Sequence, residues 1–288
     1  MRNHLKKIIM IILLLFVIAA LPVISRAEEQ SQQKPEESKV TGEIGLSVLS
    51  AYIWRGQELT RHSVVVQPAV TVSYNGFALN VWGNLDTRPY SAGEAKYASQ
   101  QTETDYTLSY SRKFGILQIT PGYIYYALEA PYSGATDPLD SQEIFLSLGV
   151  DTILQPTLTA YKEIDHYHQW YFLLGVSHTF AFNKIASLKL SASASYLLST
   201  DETTYAKYDS DSLVTTDKFN NFHDGIVTIS LPLAVYKTLT VTPTISYVFP
   251  LSDDARYEMR ARSVQGAAVP SDKDSEYIYG GVTLSYTF

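Results

Sequence analysis

The chain has no cysteine in its 288 residues, so no disulfide holds it together. Past residue 27 no apolar run reaches the ~20 residues that a membrane-spanning helix needs. The Leu-rich spacing of amphipathic helices is also missing there. Positive charge is scarce, with 22 Lys and Arg against 29 Asp and Glu and a formal charge of −7. That balance argues against a nucleic-acid partner, which needs a basic footprint. No Gly-rich phosphate loop and no zinc motif occurs, so no cofactor or metal is expected. If this chain enters a membrane, it must do so as strands, whose backbone groups are all paired only in a closed sheet.

What is present begins with a targeting pattern. Arg2, Lys6 and Lys7 precede an unbroken apolar run from Ile8 to Leu21, and Ser25-Arg26-Ala27 offers small residues where a signal peptidase reads them. Residues 1–27 are therefore expected to be a signal peptide. Its removal takes away four basic and no acidic residues, which moves the formal charge from −7 to −11. Residues 28–40 are polar and without period, and read as a disordered periplasmic leader.

From residue 41 to 288 alternation with period two dominates. Ile278, Gly280, Val282, Leu284, Tyr286 and Phe288 share one face of the last segment, and Tyr279, Gly281, Thr283, Ser285 and Thr287 the other. The pattern gives twelve strands, near 41–55, 63–74, 77–86, 102–112, 116–127, 141–151, 157–165, 169–180, 187–198, 221–232, 238–249 and 275–288. Their connections alternate in length. Asn75-Gly76 is a tight hairpin turn, and the segments near 113–115, 152–156, 181–186 and 233–237 are short. Those near 87–101, 128–140, 199–220 and 250–274 are long, whereas 56–62 and 166–168 are brief exceptions on the long side.

The two faces differ in chemistry. One carries Val, Ile, Leu, Tyr and Phe; the other carries mainly Thr, Ser, Gly, Ala and Asn. The second is too small to pack a soluble core and too poor in charge for an ordinary soluble surface. The expected fold is an all-β, transmembrane, antiparallel up-and-down barrel with a hydrated lumen and short periplasmic turns. Tyr52, Trp54, Tyr74, Tyr110, Tyr123, Tyr125, Tyr196, Tyr247 and Tyr286 fit interfacial girdles. Pro68, Pro121 and Pro243 fall inside strands on the apolar face and strain the pattern slightly. The apolar face would meet outer-membrane lipid, and the long loops the lipopolysaccharide layer. The ending at Tyr286 and Phe288 resembles the C-terminal signal by which outer-membrane proteins engage their assembly machinery.

Residues 42–56, Gly-Glu-Ile-Gly-Leu-Ser-Val-Leu-Ser-Ala-Tyr-Ile-Trp-Arg-Gly, are followed by Gln67-Pro68-Ala69-Val70 and by Asn80-Val81-Trp82-Gly83-Asn84. This set resembles the first hairpin of the TorF-like porin family of proteobacterial outer-membrane proteins. The resemblance covers about 45 residues. It implies an outer-membrane barrel and passage of solutes, and supplies no substrate.

Charged residues on the inward face are the candidates for setting a pore: Glu43, Arg55, Asp86, Asp105, Glu143, Asp151, Glu163 and Lys189. Arg55 is expected to pair with a carboxylate such as Asp86 at the long-loop rim. The expected role is a porin-like passive channel for small hydrophilic solutes. The alternatives are a structural or adhesive barrel that binds through the loops around 201–217 and 253–262, and an outer-membrane lipid-modifying enzyme. For the enzyme, His62-Ser63 and His223-Asp224 are the suggestive pairs, but neighbours on a regular strand point to opposite faces and form no dyad. His166 and His168 are too few for a metal site, and His178 falls near a short turn.

Overall fold

The computed structural model describes residues 39–60, 63–87, 99–129, 138–263 and 274–288. The expected signal peptide and nearly all of the expected leader lie outside the described residues.

Segments whose apolar residues alternate with hydroxyls form the wall. They are β1 (Thr41–Leu49), β2 (Val65–Tyr74), β3 (Phe77–Asp86), β4 (Gln100–Tyr110), β5 (Leu117–Leu128) and β6 (Ser141–Val150). The second half is β7 (Thr157–Glu163), β8 (Gln169–Ala181), β9 (Ser187–Ser199), β10 (Asn220–Ser230), β11 (Leu239–Pro250) and β12 (Tyr277–Thr287). Each strand pairs antiparallel with the next. β12 returns to β1 in a register from Glu43 opposite Thr287 to Leu49 opposite Gly281, which closes a twelve-stranded barrel with no free edge. At the seam Gly42 and Phe288 exchange backbone hydrogen bonds of 2.9 and 3.0 Å. A Cβ on Gly42 would lie 2.3 Å from the Phe288 ring, so the bare glycine lets the terminal ring lie flat on the wall.

The alternation resolves as outward grease and inward hydroxyls. Ile44, Leu46, Val48, Val72, Leu79, Leu108, Leu146, Ile229, Ile245 and Val282 are all exposed on the outside. Inside, Ser47 bonds Thr283 at 2.8 Å, Thr159 donates to Ser147 at 3.0 Å, and Thr228 bonds Ser246 at 2.9 Å. An apolar belt around a closed sheet, with polar groups within, is the surface of an outer-membrane barrel. Tyr74 and Tyr286 sit exposed near the short-turn end, and Tyr247 near the long-loop end. Pro68, Pro121 and Pro243 stand at paired positions opposite Leu46, Leu146 and Val282 without ending their strands.

Several elements go inward rather than along the wall. The first strand stops at Leu49 rather than continuing to residue 55; the chain then turns into the barrel as a tight hairpin, Ile53–Trp54 paired with Gln57–Glu58. Tyr52 and Trp54 therefore stand inside the barrel and not in a lipid-facing girdle; the Tyr52 ring lies 5.5 Å from that of Trp82, tilted by 53°. The segment around 253–262 is helix α1 (Asp253–Arg262). Ser252 caps it by accepting from the Ala255 amide, with Asp253 and Asp254 in the first turn and Arg260 and Arg262 in the last. The connection from β9 to β10 carries a small hairpin, Ala206–Tyr208 with Val214–Lys218. Leu197, Phe219, Val248, Ala255 and Met259 are fully buried together, so the long-loop end of the lumen is filled by a packed core.

Candidate functional site

The inner hairpin turns at Arg55 and Gly56, with φ of 46° and 76°. Two successive positive φ values make the tight turn that glycine favours. A Cβ on Gly56 would lie 2.9 Å from Asp224 Cβ and 3.1 Å from the Met259 side chain, so the hairpin tip presses on β10 and α1. Arg55 then reaches across the lumen. Its Nη2 donates to Glu143 Oε2 at 2.6 Å, with both side chains buried. Its guanidinium lies 4.6 Å from the Trp54 ring and 4.3 Å from that of Tyr171. Burial alone would lower the affinity of Arg55 for its proton, but Glu143 outweighs burial and holds the group charged. The Tyr126 hydroxyl donates to the same carboxylate oxygen at 2.9 Å.

Arg55 therefore does not pair with Asp86. Asp86 accepts from the Ser63 hydroxyl at 2.6 Å, and the hairpin has carried Arg55 away from the rim. Glu163 faces inward but is not a free lumen charge. Its two oxygens accept the amides of Asp165, His166, Tyr167 and His168 at 2.7 to 3.0 Å, and Ser141 adds a hydroxyl at 3.1 Å. That one carboxylate satisfies the donors of the brief β7–β8 connection, which explains why so short a turn serves on the long-loop side. His166 and His168 belong to this turn, and among the described residues no group of metal-ligating side chains forms. Asp105 shares the inward face with Glu103, and its Oδ1 has no hydrogen-bond partner.

The remaining candidates sit at the other end. Glu43 is exposed at the short-turn mouth, in a recess that includes Thr71, Ser73 and Thr287. Lys189 is exposed on the face of β9 that Ser195 also occupies. Asp151 lies just past β6 and is paired with Lys113 of the short strand Arg112–Phe114, so it is part of the mouth and not of the wall.

A second buried network was missed in the sequence. His223 and Asp224 are both fully buried and bonded to each other, Nδ1 to Oδ1, at 2.8 Å. Regular alternation forbids this, but β10 carries a bulge: Ala194 faces Gly225 while Tyr196 faces Phe222, so two β9 steps span three on β10. The extra residue turns both side chains inward. His223 Nε2 meets Glu258 of α1, and Asp224 Oδ1 also accepts from Tyr171 at 2.9 Å and Ser195 at 2.7 Å. Each ring nitrogen of His223 thus faces a carboxylate. Arg262 Nε approaches Glu258 at 2.8 Å and its guanidinium lies 4.0 Å over the Tyr205 ring. Burial would raise the pKa of Glu258, but His223 and Arg262 outweigh it and hold the carboxyl below its ordinary value. Burial, then Glu258, pushes the Tyr205 hydroxyl up.

Between the hairpin, α1 and the wall a cavity of about 160 Å³ remains; Trp54, Glu103, Tyr126, Tyr167, Gln169 and Tyr205 are among its lining.

No protein-family model and no curated protein matches the chain. It is similar to the solved NanC porin at 10% identity, with a TM-score of 0.49 over 85% of this chain and 98% of that one. An outer membrane channel from Pseudomonas putida F1 is similar at 8% identity and TM-score 0.45, over 91% of this chain and 100% of that one. The translocator domain of the autotransporter NalP from Neisseria meningitidis is similar at 11% identity and TM-score 0.36, over 89% and 90% of the two chains.

Proposed function

We propose that this protein, exported by its N-terminal signal, is a porin-like outer-membrane channel for small hydrophilic solutes. Its bore is set at the long-loop end by the Arg55 hairpin and α1. The observation that carries this reading is the inward face. Ser, Thr, Gly and Gln line it along most strands, and hydroxyls bond one another across strands, as Ser47 does with Thr283. Such a wall suits water and dissolved solutes. The likeness of residues 42–86 to the TorF-like porins supports the same reading.

Hydrolytic chemistry is disfavoured by the geometry. Ser195 donates to Asp224 and not to His223, and both nitrogens of His223 are engaged by carboxylates, so His223 is not free to act as a base for Ser195. The buried packing of Leu197, Phe219 and Met259 favours a second reading, a closed barrel that serves structure or adhesion through its loops. Planar-bilayer recording of the refolded barrel separates the two. The channel reading expects small discrete conductance steps, larger in Glu143→Gln, which frees Arg55. A silent bilayer for both proteins would sink it and leave the adhesive reading.

A further inference from the structure

We propose that the cavity between the Arg55 hairpin and the barrel wall binds a small organic cation, an alkylammonium or guanidinium ion of a few heavy atoms, with Glu103 and Gln169 as its hydrogen-bond acceptors. This names the solute class for the same lumen and rests on the reading of that lumen as a solute path.

Most polar groups of the cavity are already engaged. Glu143 holds Arg55 and Tyr126. Glu163 holds the β7–β8 turn. Gln57 Nε2 donates to Tyr205 at 3.4 Å and Glu258 at 3.2 Å, and Arg262 lies against Glu258. Two acceptors stand out. Gln169 is 2% exposed, and its Oε1 has no partner. Glu103 is 6% exposed and is hydrogen-bonded to the Tyr52 hydroxyl and to Asp105, but among the described residues no Lys, Arg or His is paired with it or with Asp105. A buried carboxyl pair without a cation, beside a buried amide oxygen without a donor, is an unusual combination to leave unmet.

Both groups have lone pairs left to accept further hydrogen bonds. An anion would face both Glu103 and Asp105. An ammonium or guanidinium brings donors and the missing positive charge. The walls suit it as well. Two of the rings already hold cations, since Arg55 lies over Trp54 and Arg262 over Tyr205, while among the described residues none lies over Tyr126 or Tyr167. A space of about 160 Å³ admits a short alkylamine and excludes an oligosaccharide.

The test is calorimetry on the full refolded barrel in detergent, with n-butylammonium chloride and methylguanidinium chloride as probes. n-Butanol, sodium butyrate and glucose serve as matched controls. The inference expects saturable binding of the two cations alone. Glu103→Gln should weaken it at least tenfold, Gln169→Leu several-fold, and Lys113→Ala at the far mouth not at all. Retained heat-modifiable mobility on gels shows that each variant is folded. Binding of n-butanol as tight as that of n-butylammonium, or wild-type affinity in both Glu103→Gln and Gln169→Leu, would overturn it. Conductance without amine binding removes this inference and leaves the channel. Amine binding without conductance removes the channel and leaves the site.

Discussion

The two ends of the lumen are built from the same alternating strands and hold opposite interiors. At the short-turn end the inward face is Ser, Thr and Gly, with Glu43 and Lys189 exposed. At the long-loop end the interior holds Arg55, Glu143, His223, Asp224 and Glu258 at 8% exposure or less, around a core that includes Phe219 and Met259. The wall does not produce this difference; the connections do. Short turns leave one end hydrated, whereas the Arg55 hairpin and α1 fold back into the other. Charge inside a barrel therefore means two things. Near water it is a solvated group, and within the inserted elements it is part of a buried framework whose removal leaves a partner stranded.

That contrast sets the order of expected effects. The largest follows Arg55→Ala, which leaves Glu143 buried and unpaired and should cost about 3–5 kcal/mol in urea unfolding from detergent. A drop below about 1 kcal/mol would mean that the inserted end is as wet as the other. Gly56→Ala comes next. The positive φ of 76° and the approach to Asp224 should together cost about 2 kcal/mol by the same measurement. Acid should act on the inserted end alone. Glu258 is held below its ordinary 4.5, so its contribution is present above that pH and is lost as pH falls through its lower folded value. Limited proteolysis at pH 3 should open α1 while the strands stay protected, and the same digestion at pH 7 should leave α1 intact. The smallest effect belongs to the mouth. Lys113→Ala removes an ion pair with side chains 56% and 58% exposed and should change stability by less than about 1 kcal/mol.

The wall was legible in the sequence because period two states both the strand and its faces. The run from Ile278 to Phe288 is unambiguous, and the alternating connection lengths give the two ends. The inserted elements were harder, for separate reasons. The alternation runs on past Leu49, so nothing in the pattern marks where the chain leaves the wall, although Arg55-Gly56 is a turn signal in its own right. A bulge adds one residue without changing composition, so the shared face of His223 and Asp224 was invisible and the pair was dismissed. Helix α1 did carry a signal: Ser252 before two acids, with Arg260 and Arg262 closing the last turn. Its charge made it look like a solvated loop, because Glu258 and Met259 find their partners only on distant strands. Glu163 shows the same limit, since its role depends on four amides that follow it in a turn.

The absence of cysteine makes the central claim directly measurable. Single-cysteine variants Ser73→Cys at the short-turn mouth and Ser199→Cys at the filled end are exposed to a small charged thiol reagent in the folded barrel. The account predicts rapid labelling at residue 73 and labelling at residue 199 only after unfolding; equal rates at both would contradict it.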